Sequence, residues 1–165
     1  MIKWLLIIGG SIAGLILVIL LIGWMLPKKH QAIRSQVFTA STNALWKYIY
    51  DFAGYASWRS GLKEVKVLTE DSWEELDNRN DRITLKIVEA IPDKKLVTRI
   101  IDEKLPFGGS WTFELSEKEG QTQLTITENG EIYHPVFRFF AHFIFGYEAT
   151  IKQYLEDLEN AIHKT

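Results

Sequence analysis

The chain begins with an uninterrupted apolar segment that limits most strongly what it can fold into. Residues 4–26 form a run of 23 without a charged side chain, and 14 of these are Leu, Ile or Val. As an α-helix the run is about 34 Å long, against a hydrocarbon thickness of about 30 Å. Trp4 and Trp24 lie near its two ends, where tryptophan favours the membrane interface, and Lys28 and Lys29 follow it. We therefore predict a transmembrane anchor over residues 4–26, with these four side chains at the bilayer surface.

A cleaved signal peptide is the alternative interpretation of this segment. Signal peptides have an apolar region of about 7–15 residues that ends at a small-residue cleavage site. The run here is longer, and residues 23–28 contain no Ala-x-Ala pattern. We therefore expect an uncleaved, single-pass anchor. Basic residues favour the cytoplasmic side, and Lys28, Lys29 and Arg34 follow the span whereas only Lys3 and the α-amine precede it. This balance slightly favours a cytoplasmic domain.

The anchor also has consequences for oligomeric state and for the position of the domain relative to the membrane. Gly10 and Gly14 have the small-xxx-small spacing that packs two transmembrane helices together, which would give a homodimer. Glycine that is simply tolerated in lipid is the alternative. Residues 27–31 read as a short tether, so we expect the domain formed by residues 32–165 to sit close to the bilayer and to fold on its own.

Composition and motifs exclude several function classes. The net charge is −2, so the chain has no excess of basic charge for nucleic acid. It has no cysteine, and its four histidines follow no metal-binding spacing. We find no P-loop, dinucleotide fingerprint or nucleophile elbow. We therefore expect no metal, no cofactor and no catalytic motif.

The first part of the domain reads as a strand, a helix and a sheet. Residues 32–38 alternate as a strand, and Thr39 or Ser41 can cap a helix that follows. From Leu62 to about Gly130 apolar residues recur with a period of two, which indicates an antiparallel sheet with one solvated face. Turn-prone sequences separate the strands. They are Asp77–Asp81, Ile91–Asp93, Pro106–Gly109, Glu119-Gly120 and Asn129-Gly130.

The end of the chain predicts one continuous helix from about Pro135 to His163. Proline suits the first helical position because its missing N–H has no partner there. At about 100° per residue the large apolar side chains share one arc, and Arg138 falls on the opposite, polar face. The apolar arc comprises Val136, Phe137, Phe140, Phe143, Ile144, Tyr147, Ile151, Tyr154, Leu155, Leu158 and Ile162. This arc stays in phase across Gly146.

Several stretches together resemble the START-like, helix-grip proteins of the SRPBCC superfamily, which includes polyketide cyclases and lipid-transport proteins. They are Thr39-Ala-Ser-Thr-Asn-Ala-Leu-Trp46, Tyr50–Trp58, Gly109–Leu115, Gln123–Thr127 and Tyr147–Ile162. The resemblance covers residues 32–163 and rests on structural motifs. It implies an α+β fold in which a curved antiparallel sheet of about six or seven strands wraps a long C-terminal helix. It also implies an apolar ligand, such as a lipid or polyketide, between sheet and helix.

We expect aromatic and aliphatic side chains to form the walls of that ligand site, since each buried CH₂ group of a ligand contributes about 0.8 kcal/mol. An aromatic stripe at helical spacing can equally be plain core. The candidates are Trp58, Leu85, Ile87, Trp111, Phe113, Phe137, Phe140, Ile144 and Tyr147.

Two further residues stand out from their patterns. Phe145 falls on the polar arc of the predicted helix, where it would either contact the bilayer or a partner or be a single exposed apolar residue. Glu89 continues the face of Ile83, Leu85 and Ile87, so it would point inward as a general acid or base unless the strand ends at Val88.

Three functions are compatible with these features. The first is a membrane-anchored binding protein for a hydrophobic small molecule or lipid. The second is an enzyme acting on such a molecule, a cyclase or dehydratase, which requires at least two polar groups converging inside the pocket. The third is a non-enzymatic interaction or assembly protein whose core is filled.

Overall fold

The computed structural model describes residues 2–164. A long N-terminal helix leads into a seven-stranded sheet that carries the remaining helices. The elements in chain order are α1 (Ile2–Met25), β1 (Lys29–Phe38), α2 (Thr42–Tyr50), a 3₁₀ helix (Phe52–Ser57), β2 (Leu62–Thr69), β3 (Ser72–Asp77), β4 (Arg82–Ile91), β5 (Lys95–Ile100), β6 (Phe107–Lys118), β7 (Gln121–Ile132), α3 (Pro135–Phe140), a π-helical turn (Ala141–Phe145) and α4 (Ala149–His163).

Helix α1 is the one helix in the described part of the chain that is long and apolar enough to cross a membrane. It has 24 residues, its most apolar window has a mean hydropathy of 3.0, and none of that window is buried in the protein. Strand β1 begins at Lys29, so Lys29, His30 and Gln31, which the sequence assigned to the tether, belong to the sheet. The link between helix and sheet is therefore shorter than predicted, residues 26–28.

The sheet is antiparallel throughout, with the strand order β1-β7-β6-β5-β4-β3-β2. Its seven strands confirm the predicted α+β class and strand number. Two predicted turns are wrong. Phe107, Gly108 and Gly109 already belong to β6, and β7 runs through Asn129 and Gly130 to Ile132, with Gly130 opposite His30 on one side and Gly109 on the other. Gly130 is needed there because a Cβ atom would lie 2.2 Å from the His30 ring.

The core lies between the sheet and the helices α2 and α4. Of the two predicted caps, Thr39 and Ser41, Ser41 caps α2, and its hydroxyl accepts a hydrogen bond of 3.2 Å from the Ala44 amide. Fully buried side chains from both layers then interlock. They include Leu45, Ile49, Leu96, Leu124, Ile126, Ile151 and Leu158.

The predicted continuous C-terminal helix is wrong. The chain breaks at Gly146, whose φ of 72° lies in the left-handed region that favours glycine. A π-helical turn over Ala141–Phe145 precedes the break, so α4 has only 15 residues. An extra residue in the π turn shifts the helical phase, which is why Phe143 and Ile144 are exposed on the protein surface although the predicted arc placed them inward.

Helix α3 packs against the end of α1. A Cβ atom on Gly23 would lie 2.0 Å from the Pro135 carbonyl oxygen, so the two backbones touch at a glycine. Arg138, predicted on the polar face, is 4% exposed, and its Nη1 donates a 2.7 Å hydrogen bond to the Leu26 carbonyl. Carbonyl groups at the C-terminal end of a helix have no hydrogen-bond donor within the helix, and the Arg138 guanidinium provides a donor for one of them.

Candidate functional site

A cavity of about 720 Å³ lies between the sheet and the C-terminal segment. This volume falls within the range of about 300–1,000 Å³ that is typical of small-molecule pockets. Strands β3 to β7, with His30 of β1, form one wall. The 3₁₀ helix and Arg59 after it, α3, the π-helical turn and the first part of α4 form the other. The interior is therefore open, whereas the interaction or assembly hypothesis requires it to be filled.

The structure brings most of the predicted wall residues to this cavity. Six line it, which are Leu85, Trp111, Phe113, Phe137, Phe140 and Tyr147. Trp58 and Ile87 instead pack half-buried against the core clusters, and Trp58 contacts Tyr154 edge to face at 5.2 Å. Ile144 is 60% exposed because of the π-helical turn. Trp58, Ile87 and Ile144 are therefore placed outside the cavity wall.

Glu89 does not point inward. The register of β4 against β5 shifts between Ile87 and Glu89, and this irregularity turns the strand after Ile87. Glu89 is exposed and accepts a 2.8 Å hydrogen bond from Lys95 Nζ. The alternative that Glu89 acts as a buried acid or base is thereby excluded.

Two ionisable clusters instead enter the cavity, and the first is centred on Glu75. Strand β3 alternates, so Trp73 and Glu75 share the inner face of the sheet. The Glu75 carboxylate is 7% exposed, and its Oε1 accepts hydrogen bonds from Arg59 Nη1 at 2.7 Å and from Trp73 Nε1 at 3.0 Å. Burial disfavours the charged Arg59 guanidinium, yet the adjacent Glu75 carboxylate holds the pKa of Arg59 above its usual value.

Two part-buried hydrogen bonds to α4 fix the backbone next to Arg59. The neighbouring Ser60 donates from its amide and its hydroxyl to Oδ2 of Asp157, at 2.8 and 2.9 Å. The Arg59 guanidinium then lies 5.0 Å from the ring centre of Tyr55 and 5.3 Å from that of Tyr154. Both distances are within the range of cation–π attraction.

Two buried tyrosines complete the first cluster. The Tyr55 hydroxyl donates to the Ile49 carbonyl, whereas the buried Tyr154 hydroxyl has no hydrogen-bond partner that meets normal geometry. Burial raises the pKa of both hydroxyls, far above the usual value for Tyr154. The Tyr154 hydroxyl is therefore a neutral group that can donate a hydrogen bond to a polar atom in the cavity.

The raised pKa values of Tyr55 and Tyr154 predict a loss of stability at alkaline pH. An unfolded chain releases tyrosine protons near pH 10, before the folded chain does, so this contribution to stability is complete below about pH 10 and is lost as the pH rises further. Thermal unfolding of the full chain between about pH 8 and pH 11 measures this. Tyr154→Phe should flatten the decline, and an unchanged decline in that variant would contradict the assignment.

The second cluster is centred on Glu128 of β7. Its Oε2 accepts a 2.9 Å hydrogen bond from Trp111 Nε1, and its Oε1 lies 3.2 Å from His30 Nε2. The His30 ring stacks on Tyr147 at 4.0 Å between ring centres. The imidazole and the carboxylate are thus held in contact at the cavity wall, where they could exchange a proton with a bound molecule.

Neither cluster has the composition of a metal site. Within residues 2–164 no three His, Asp or Glu side chains come together as ligands. Each carboxylate already faces a cation or an imidazole and a tryptophan N–H. The site can therefore hold an apolar molecule and satisfy a few polar groups on it.

A family model described as polyketide cyclase / dehydrase and lipid transport matches residues 29–162. The chain belongs to this family. The predicted SRPBCC and START-like resemblance is confirmed. The matched region covers all seven strands and α4 up to Ile162, and it leaves α1 outside. No curated protein matches the chain.

Solved structures share the fold of this family member. The Zhui aromatase/cyclase from Streptomyces sp. R1128 matches with a TM-score of 0.70 at 12% identity, over 82% of this chain and 94% of that chain. A START superfamily protein from Mycobacterium smegmatis matches with a TM-score of 0.67 at 13% identity, over 82% of this chain and 98% of that chain. A conserved protein from Geobacillus kaustophilus matches with a TM-score of 0.71 at 15% identity, over 82% of this chain and 96% of that chain. At these identities the likeness shows the fold alone.

Sequence reasoning missed the two ion pairs at the cavity wall of this family member, Arg59 with Glu75 and His30 with Glu128. Glu75 shares a face with Trp73, and Glu128 continues the face of Ile126, so the period of two could have placed both carboxylates inside. His30 was predicted to lie in the tether, and Arg59 lies between the 3₁₀ helix and β2, outside the periodic segments. No local pattern marks either of them, because both reach the cavity through long-range pairing.

Proposed function

We propose that this protein is a membrane-anchored binding protein for a hydrophobic small molecule or lipid, held between the sheet and α4. The observation that carries the proposal is the open cavity of about 720 Å³ in a domain of this family. Aromatic and aliphatic side chains supply apolar surface for the body of the ligand. The Tyr154 hydroxyl, which lacks a partner, and the Glu128 pair supply a few polar contacts, the usual composition of a small-molecule pocket.

The anchor part of the proposal rests on α1 and its surroundings. The most hydrophobic window of the helix has a mean hydropathy of 3.0 and none of it is buried in the protein, which is favourable in lipid and unfavourable in water. Trp4 and Trp24 would lie at the two interfaces, and Lys28 and Lys29 in the adjoining headgroups. The excess of basic residues after the span favours a cytoplasmic domain, and pairing of two copies through Gly10 and Gly14 stays a prediction.

Native mass spectrometry of the full chain, extracted in mild detergent, tests the binding proposal. We expect a bound apolar molecule that detergent exchange does not remove, and we expect the emptied protein to bind oleic acid or N-phenyl-1-naphthylamine. Protein that is free of ligand after extraction and that binds neither probe would contradict the proposal.

An enzyme acting on the bound molecule is the second candidate. The observation that favours it is the contact between His30 and Glu128, together with Arg59 and Glu75 at the same cavity, because an enzyme needs such convergent ionisable groups. The test compares the ligands recovered from the natural chain and from His30→Gln. Catalysis predicts ligands of different mass, substrate in the variant and product in the natural chain. Identical masses support binding alone.

A further inference from the structure

The pairing register places one end of the whole sheet next to the anchor. Strand β1 begins at Lys29, after the short link of residues 26–28 from α1, and Lys29 pairs with Glu131 at the end of β7. Because every neighbouring pair is antiparallel, the turn at residues 78–81 and the loop at residues 101–106 lie at this same end. We name it the anchor end of the sheet.

The cavity opens at the anchor end. Its lining includes Asp81 from the β3–β4 turn, Pro106 from the β5–β6 loop and Phe137 from α3. Toward the opposite end the space between sheet and helix is closed by fully buried residues, including Leu96 and Leu124. A molecule therefore enters or leaves the cavity on the side where α1 joins the domain.

The rim of this opening carries an apolar surface fixed to the base of α1. Contacts of Pro135 with Gly23 and of Arg138 with the Leu26 carbonyl hold the segment 135–145 there. Four large apolar side chains on this segment are exposed, and two of them also line the cavity. They are Phe137 at 50%, Phe143 at 58%, Ile144 at 60% and Phe145 at 69%. Clustered exposed apolar residues of this kind mark contact surfaces.

Charges at the anchor end have both signs. The basic residues there are Lys28, Lys29, Lys63, Arg79, Arg82, Arg99 and Lys104. The acidic residues are Asp77, Asp81, Asp102, Glu103 and Glu131. The basic residues are in slight excess, which suits the headgroup region of a bilayer, and that region also takes up exposed apolar side chains. A bilayer that holds α1 is the apolar phase directly beside them.

Resting on the proposed function, we propose that the segment 135–145 lies in the bilayer interface and that the cavity opens into it. A hydrophobic ligand then passes sideways between the membrane and the cavity without crossing water. Phe137 and Phe145 form the boundary between lipid and cavity, and the contacts with α1 fix the opening at membrane level.

Site-directed labelling tests the placement, because the natural chain has no cysteine. Phe143→Cys and Phe145→Cys, each labelled with an environment-sensitive NBD group, are placed in phosphatidylcholine nanodiscs that contain doxyl-labelled lipid. We expect blue-shifted emission and quenching at both positions. Val37→Cys, equally exposed but toward the far end of β1, is the matched control and should report water. Leu15→Cys in the middle of α1 should report lipid.

The four labels separate the possible failures. If the labels at positions 143 and 145 report water while the label at position 15 reports lipid, the interfacial placement is overturned and the anchor stays intact. Water at position 15 as well would remove the anchor from the proposed function, and this inference with it.

Loading kinetics test the sideways route. Desorption of a fatty acid into water slows about tenfold for each two added CH₂ groups, so about a thousandfold between chains of 12 and 18 carbons. Entry from the bilayer predicts nearly equal loading rates for the two chains when they are already dissolved in the nanodisc. A thousandfold difference would overturn the route, even if the labels report lipid.

Discussion

Replacing Glu75 by alanine is expected to lower the free energy of unfolding by about 3–5 kcal/mol, the usual cost of removing one partner from a buried ion pair. The Glu75 carboxylate satisfies both the Arg59 guanidinium and the Trp73 indole N–H. Without it a cation and a donor remain buried with no acceptor, since Trp73 is 1% exposed. Thermal and urea unfolding of the full chain in detergent, followed by circular dichroism, measures the loss.

The neighbouring residue offers a matched control. Glu74 points to the other face of β3 and pairs with the exposed Arg82, so Glu74→Ala should cost less than about 1 kcal/mol. Glu75→Gln should lie between the two, because an amide oxygen still accepts from Trp73 but the charge opposite Arg59 is gone. A Glu75→Ala chain as stable as Glu74→Ala would show that water from the cavity solvates Arg59.

The sheet could be predicted because its physics is local. A strand with one solvated face must alternate in polarity. The alternation alone therefore assigns Ile83 and Leu85 of β4, and Trp111 and Phe113 of β6, to the inner face of the sheet, whichever strands pair with them. The same alternation gives the strand number and, with the family resemblance, the fold. It failed at Gly130, where glycine serves a close approach to His30 and not a turn.

The C-terminal segment could not be predicted, because a distant contact decides its conformation. The apolar arc across Gly146 is in phase for an ideal helix, yet α3 packs on the base of α1 and buries Arg138 there. Arg138 and Leu26 are 112 residues apart, so no helical projection can place the guanidinium inside. The π-helical turn then exposes Phe143, which the projection buries.

The ionisable groups of the cavity show the same limit in another form. His30 and Glu128 are 98 residues apart and meet only because β1 pairs with β7. Arg59 follows the 3₁₀ helix and reaches Glu75 across the domain interior. The period of two along each strand could have placed the Glu75 and Glu128 carboxylates on the inner face. Their partners, Arg59 and His30, depend on how the strands and loops are arranged in the fold.

Filling the cavity is expected to abolish most ligand binding while the fold persists. Leu85 and Ile100 are opposite each other on β4 and β5, and both line the cavity half-buried. Tryptophan at both positions would extend two indoles into open space. If these displace four CH₂ groups of a ligand at about 0.8 kcal/mol each, affinity falls by about 3 kcal/mol, or about 100-fold. Titration of the emptied full chain with oleic acid, by native mass spectrometry, measures this.

A tryptophan on the same strand but outside the cavity controls for the size and hydrophobicity of the substitution. Val88 is 61% exposed and does not line the cavity, so Val88→Trp should bind oleic acid as the natural chain does. The two inward indoles fill a void and should therefore cost no more stability than overpacking usually does, about 1–3 kcal/mol. If the double variant folds and still binds with natural affinity, the ligand occupies another surface and the space between sheet and helix is not the binding site.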